Sequence, residues 1–272
     1  MQKDGIFSYK VGRFEVFVMV ESEGPGSAEI LVGADEGLLK KLIPAEGFKR
    51  SVNAFLVRTH GAPGGDLNVL VDVGTGQPPE PIFEKIRKVG VEPERIDEAL
   101  ITHLHGDHFA GLLREGKPAF ANAKVRLSKK EFDYFTAEKP NQNAISVLAA
   151  YGDRALTFEP GELGSDPREL LPGITPIAAY GHTPGQTFFL IEDRGEKLLI
   201  AADILHLAHA QFPRPEIPAV YDMDPAKSAD VRRRFLSYAA ENKIPLAGVH
   251  IAYPGLGMVE IDGEGFKFLP MK

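Results

Sequence analysis

The segment ITHLHGDHFAG, residues 101 to 111, places His103, His105, Asp107 and His108 within six positions, directly after an apolar run. Only eight histidines occur in 272 residues, so three in one turn are a concentration that any fold of this chain must accommodate. Successive strand side chains point to opposite faces, so His103 and His105 are predicted to emerge on one side at the end of the strand EALIT, 98 to 102. Gly106 permits a sharp turn that brings Asp107 and His108 round on a helix starting at HFAGLL. Four such groups repel one another when protonated and are costly to desolvate, whereas a cation removes both penalties. A metal is the simplest reason for the pattern, and because four groups in so short a span strain the coordination of one small ion, two ions are expected.

Further ligand types stand at other strand ends. His182 lies in YGHTPGQT after the run ITPIAAY, Asp203 ends KLLIAAD, and His250 ends IPLAGVH. Open α/β sheets place their sites where strands end in this direction. Taken singly, each also reads as a turn or capping residue. His206 and His209, in DILHLAHAQF, are either pocket-lining or simply packed and surface histidines. His60, in THGAPGGDLN, is expected on an exposed hairpin loop. Phe109, Leu205, Phe212, Tyr221, Tyr253 and Leu256 flank these motifs and suit either an apolar pocket wall or the core.

The hydrophobic period alternates along the chain. FEVFVMV (14 to 20), VNAFLV (52 to 57), LNVLVDV (67 to 73), EALIT, ITPIAAY (174 to 180), TFFLIE (187 to 192) and KLLIAAD (197 to 203) read as strands. Helices are predicted near 79 to 90, with a proline start and a glycine stop, and over DPAKSADVRRRFLSYAAENK. In the second, Asp224 is the expected N-cap, Pro225 the first helical residue, and Val231, Phe235, Tyr238 and Ala239 the apolar stripe. Strands mixed with helices indicate an α/β protein. Residues 139 to 173 are rich in turn formers and form either an insertion over a cleft or an ordinary connection with a helix near 144 to 150. The length suits one domain, residues 1 to 272.

Composition removes several function classes. With no cysteine, any metal must be held by nitrogen and oxygen, and neither a thiol nor a G-x-S-x-G nucleophile is available. A net charge of −7 argues against nucleic acid as a partner, and Arg232 to Arg234, the one basic cluster, are expected on a solvated helix face. The N-terminal residues lack a secretory pattern and no 18-residue apolar run occurs, which predicts a soluble cytoplasmic protein without a membrane partner. The glycines of VGTGQPP do not open a helix as a dinucleotide fingerprint does.

THLHGDH, GHTPGQT, AADILH and VHIAYPGLGMV, taken in order, resemble the successive motifs of the metallo-β-lactamase fold superfamily, from about residue 50 to the end. The stretch from AQFPRPEIPAVYDMDPAKSADVRRRFL through IDGEGFKFLP, residues 210 to 270, resembles more specifically the methyl parathion hydrolase-like branch, which includes phosphotriesterases and lactone hydrolases. The resemblance implies a four-layer αβ/βα sandwich in which two facing mixed β-sheets carry helices outside. It implies that His103, His105 and His182 hold one metal, that Asp107, His108 and His250 hold the second, and that Asp203 bridges them. Asp72 matches a family aspartate that orients a ligand histidine, with a turn-forming role as the competing account. Two positions depart from the pattern: Ala202 where glycine is common before the bridging aspartate, and Gln186 where a second histidine often stands.

The implied activity is a dinuclear metal-dependent hydrolase, a lactonase first and a phosphotriesterase second, acting on a small, neutral, apolar ester-like substrate. Zinc, or alternatively iron, manganese or cobalt, suits these ligands. Zinc lowers the pKa of a bound water from about 15.7 to near 7, so hydroxide is available at neutral pH, with Asp107 and Asp203 as the catalytic carboxylates. The branch also implies a homodimer. The alternatives are a glyoxalase II-like thioester hydrolase or a mononuclear iron dioxygenase, which share much of the HxHxDH pattern, and a non-catalytic metal- or ligand-binding module.

Overall fold

Side-chain alternation along two strands shows where the sheets meet. In the strand Phe14–Pro25, Val16 and Val18 face one way while Phe17 and Met19 face the other; in Thr187–Asp193, Phe189 and Ile191 oppose Phe188 and Leu190. Each strand is therefore apolar on both faces, as a strand covered on two sides must be.

The computed structural model describes residues 4–78, 80–165 and 167–272. One sheet has the order β1 (Ile6–Val11), β2 (Phe14–Pro25), β3 (Lys49–Arg58), β4 (Asn68–Val71), β5 (Glu98–Leu100), β8 (Lys124–Ser128) and β9 (Ala155–Phe158). Its first four strands are antiparallel neighbours, and β4, β5, β8 and β9 run parallel. A small hairpin, β6 (Leu113–Arg114) with β7 (Lys117–Pro118), stands apart. The second sheet has the order β10 (Ile174–Ala178), β11 (Thr187–Asp193), β12 (Glu196–Ile200), β13 (Leu246–Ala247), β14 (Leu256–Asp262) and β15 (Gly265–Pro270), with β12 and β13 parallel.

Val16, Val18, Phe55, Val71, Phe189, Ile191 and Ile200 fill the space between the sheets. Outside the first sheet, α2 (Ile82–Lys88) and α5 (Gln142–Tyr151) press Ile86 and Leu148 toward Met19 and Leu56. Outside the second, α7 (Pro225–Glu241) brings Phe235 and Leu236 onto Phe188 and Leu199. The layers are those of an αβ/βα sandwich. Smaller helices complete it: α1 (Glu36–Leu42) and α6 (Ala208–Gln211) share a cluster with Leu31 and Ile217, while α3 (Gly106–Phe109) and α4 (Lys129–Asp133) follow β5 and β8. Among the described residues no helix is long and apolar enough to cross a membrane.

The helix start expected at α7 is present, with Asp224 accepting from the Lys227 amide and Pro225 first in the helix. In the helix expected near 79 to 90, Pro79 lies outside the described residues and the helical turns begin at Ile82. Of the two readings of 139–173 the ordinary connection holds among the described residues: it carries α5 and β9, because the apolar side chains Ala144, Val147 and Leu148 bury α5 against the first sheet. One expectation is corrected. Arg232 does not sit on a solvated face: Ser228, Val231, Phe235 and Ala239 repeat at helical spacing and carry Arg232 inward with them, where it is fully buried.

Candidate active site

Strands that point the same way deliver the motif residues to one edge. Asp72 follows β4, His103 and His105 follow β5, Asp203 follows β12 and His250 follows β13, while His182 lies in the loop between β10 and β11. The Thr187 amide donates to the Thr102 carbonyl at 2.9 Å, which ties the two sheets together at this edge. Strand β5 ends at Leu100 instead of at Thr102 as expected, so His103 and His105 leave from the loop beyond the strand end. The pairing with β8 stops there, and the freed backbone lets His103 bury completely while His105 stays partly open.

Two sets of ligand atoms result. His103, His105, His182 and Asp203 each offer one atom, all within 4.8 Å of one another, and Asp107, His108 and His250 do the same. The Asp203 carboxylate reaches both sets. Its Oδ2 lies 3.3 Å from His182 Nε2 and 3.8 Å from His103 Nε2, and also 3.2 Å from His250 Nε2, while Oδ1 is 3.2 Å from His108 Nε2. All seven residues singled out from the sequence are thus brought together.

The far nitrogens of four of the five imidazoles are fixed from behind. His108 Nδ1 donates to Asp72 at 2.7 Å, His182 Nδ1 to Asp222 at 3.0 Å, and His250 Nδ1 to the Ser51 carbonyl at 2.9 Å. His103 Nδ1 lies 3.1 Å from Thr102 Oγ1, whose hydroxyl donates to Asp72. Asp72 holds a left-handed φ of 57°, so it makes the turn and orients the histidine at once. Asp222 is held in turn by Arg232, whose Nε also donates to the Ile204 carbonyl beside Asp203. Buried Glu131 accepts from the Leu104 and Gly185 amides and the Thr183 hydroxyl, clamping the His103–His105 loop to the His182 loop. A Cβ on Gly185 would lie 2.2 Å from the Glu131 nitrogen, so this approach requires glycine. Asp222, Glu131 and Arg232 were not singled out as site residues; each is remote in sequence from what it orients.

Fixing those nitrogens leaves lone pairs facing inward. His103 Nε2, His108 Nε2 and Asp203 Oδ1 are buried with no hydrogen-bond partner among the described residues, an expensive arrangement for a protein interior unless a cation satisfies them. Burial holds His103 well below the ordinary imidazole range and brings His105 down to about 4. Burial also disfavours charge on His182, but Asp203 and Asp222 overcome it and raise the ring to about 9. Against its own burial, Asp203 is held well below the usual carboxylate range by His250, His108 and His206. The donor set, nitrogen and oxygen with no sulfur, fits divalent metal ions.

A cleft of about 360 Å³ opens onto this edge, lined by Arg50, His105, Asp107, Asp203, His206, Tyr221 and His250. His206 is therefore part of the site: it is buried, its Nε2 is 3.1 Å from Asp203 Oδ2, and its ring stacks on His250. His209 is exposed against Phe48, and His60, 42 % exposed at its side chain, contacts Asp66. Of the proposed wall residues Tyr221 lines this cleft. Phe109, Leu205, Phe212 and Leu256 are buried, and Tyr253 borders a neighbouring cavity. No residue of 139–173 is among the described residues that line the cleft. Gln186, at the position of the departure, is buried and donates to the Ala179 carbonyl, away from the ligand atoms.

A family model described as the metallo-beta-lactamase superfamily matches residues 47–242. Among solved structures, the hydrolase AbOPH of the beta lactamase superfamily is 26% identical, with a TM-score of 0.84 over 100% of this chain and 99% of that one. AidC, a dizinc quorum-quenching lactonase, is 24% identical with a TM-score of 0.82, covering 99% of both chains. A probable metal-dependent hydrolase from Staphylococcus aureus is 22% identical with a TM-score of 0.76, over 97% of this chain and 99% of that one. No curated protein matches the chain.

Proposed function

The chain belongs to the metallo-beta-lactamase superfamily, and from that premise we propose that it is a dinuclear metal-dependent hydrolase of ester-like bonds, with lactones the first substrate class and phosphotriesters the second. The observation that carries this reading is the pair of ligand sets joined by the Asp203 carboxylate. In it, His103, His105 and His182 hold one ion, Asp107, His108 and His250 hold the other, and Asp203 bridges. AidC, a dizinc lactonase of similar fold, supports the choice of zinc and of lactones. We read residues 1–272 as one domain.

Bound divalent ions would make hydroxide available near neutral pH and polarise the scissile carbonyl or phosphoryl oxygen. The protein supplies the rest. Asp72, Asp222 and the Ser51 carbonyl keep the ligand rings in the tautomer that presents Nε2 to the ions. Asp107 is the carboxylate most open to the cleft, 26 % exposed at its side chain. His108 and His250 hold it below the ordinary carboxylate range in spite of burial, so it is ionised and able to accept a proton. Tyr221 gives the cleft an apolar wall suited to a neutral substrate.

The test is a panel of acyl-homoserine lactones, aryl esters, thioesters and phosphotriesters, with metal content measured on the same protein. Two ions per chain, and chelator-sensitive turnover highest on lactones, are expected. One iron with oxygen uptake would replace this reading with a dioxygenase, thioester preference with a glyoxalase II-like enzyme, and no turnover with a binding module.

A further inference from the structure

One charged side chain at the cleft has no part in the proposed chemistry. Arg50, the second residue of β3, is the only lysine or arginine among the described residues lining the cleft. Its Nη2 stands 3.3 Å from His250 Nε2 and 3.8 Å from Asp107 Oδ2, and its guanidinium carbon lies 5.9 Å from the centre of the Tyr221 ring. At 3.8 Å the Asp107 contact is a charge attraction without a hydrogen bond. His250 Nε2 is a ligand atom of the proposed metal centre, so it cannot also accept from Arg50. The Arg50 Nε is buried without a partner. The guanidinium is thus aimed across the open side of Asp107 and His250, and among the described residues its only hydrogen-bond contact is the His250 nitrogen, although its side chain is only 30 % exposed.

A planar fork of donors in that position matches two oxygens on one atom, which is what ester hydrolysis creates. Resting on the proposed hydrolase, we propose that Arg50 is the oxyanion-recognising residue of this cleft: its guanidinium receives the two oxygens of the acid product, a carboxylate or a dialkyl phosphate. The same donors face the acyl or phosphoryl oxygen of the ester before cleavage. Arg50 thereby selects substrates whose scissile group presents its oxygen toward β3.

The test titrates the metal-replete protein calorimetrically with sodium 4-hydroxybutyrate and with sodium diethyl phosphate, comparing the parent chain with Arg50→Met and Arg50→Lys and measuring metal content in each sample. Arg50→Met is expected to keep its ions and its fold while binding at least one of these anions about ten- to a hundredfold more weakly, the scale of a charge-assisted hydrogen bond. Arg50→Lys is expected to recover part of that loss, as a point charge without the fork. The anion with the larger loss identifies the product class. Equal affinities in the parent and Arg50→Met overturn the inference, as does a parent that binds neither anion. Loss of metal from Arg50→Met overturns it too, since Arg50 would then act through Asp107 and His250. A parent protein that hydrolyses nothing on the panel defeats the proposed function, while the anion titration still decides the role of Arg50.

Discussion

Oδ2 of Asp72 lies 2.7 Å from Nδ1 of His108, and both side chains are fully buried. The pair fixes the ring so that its other nitrogen faces Asp203, and burial raises the Asp72 pKa while the His108 charge and hydrogen bond oppose that rise. Asn tolerates the left-handed backbone at position 72, so Asp72→Asn tests the carboxylate without straining the turn. Affinity for the ion proposed at His108 should fall about 10- to 100-fold. Competition against a chelator of known affinity measures this, and an unchanged affinity would leave Asp72 a turn former only.

Asp203 is the acceptor common to both ligand sets, so its loss should act on both at once. Asp203→Ala is expected to lower metal affinity and turnover by more than the ~100-fold that loss of an outer partner causes. The fold should survive, because buried Ala201, Ala202 and Ile204 around it keep their packing. Metal analysis and circular dichroism on the same sample check this. A variant that retains its ions and near-parent rates would remove Asp203 from the mechanism.

Arg232 offers the sharpest contrast with its sequence neighbours. It donates to the Ile204, Pro215 and Ile217 carbonyls and pairs with Asp222, all in the interior. Arg232→Ala would remove the buried countercharge of Asp222 and take a donor from the Ile204 and Pro215 carbonyls, at a cost of about 3–5 kcal/mol. Arg233→Ala and Arg234→Ala, whose side chains are 50% and 48% exposed, should each change stability by less than about 0.5 kcal/mol. Urea unfolding of the three variants separates them, and equal losses would contradict the buried relay.

That contrast shows what was legible in the sequence. Seven ligand-type residues were legible because they cluster in one turn or stand at the ends of long apolar runs such as KLLIAAD. The seven strands read from alternation or apolar runs all exist, because those segments are buried on two faces. Strands β1, β14 and β15 were not singled out: KVGRF and VEIDGEGF interleave charge with apolar residues in the hairpins that carry the edge strands β1 and β15, where pattern weakens. The roles of Arg232, Asp222 and Glu131 escaped, and the choice between a pocket-lining and a packed His206 stayed open, for another reason. Their roles depend on partners elsewhere in the chain, and the burial of a charge is decided by what the fold sets against it, which local composition does not record.

The two sheets are also joined away from the site, where Arg13, in the β1–β2 turn, meets Asp193 at the end of β11. Asp193 Oδ2 accepts from the Arg13 amide at 2.8 Å and from its Nε at 3.0 Å, and Oδ1 accepts from Nη2 at 2.6 Å. The Arg13 hydrogen bonds hold the Asp193 carboxyl at about 2, below its ordinary 3.8. A carboxyl whose pKa is depressed on folding stabilises the protein above its unfolded pKa, and that stabilisation disappears as pH falls through the folded value. Asp193→Asn keeps the shape and one acceptor but cannot carry the charge. Near pH 7 the variant should unfold at lower urea than the parent. The gap should hold down to about pH 5, narrow below about pH 4 and close near pH 2, as the parent carboxyl takes up its proton. Paired urea melts between pH 7 and about pH 3 measure it; a gap that stays constant or widens toward acid would mean that the charge of Asp193 is not what joins these two hairpins.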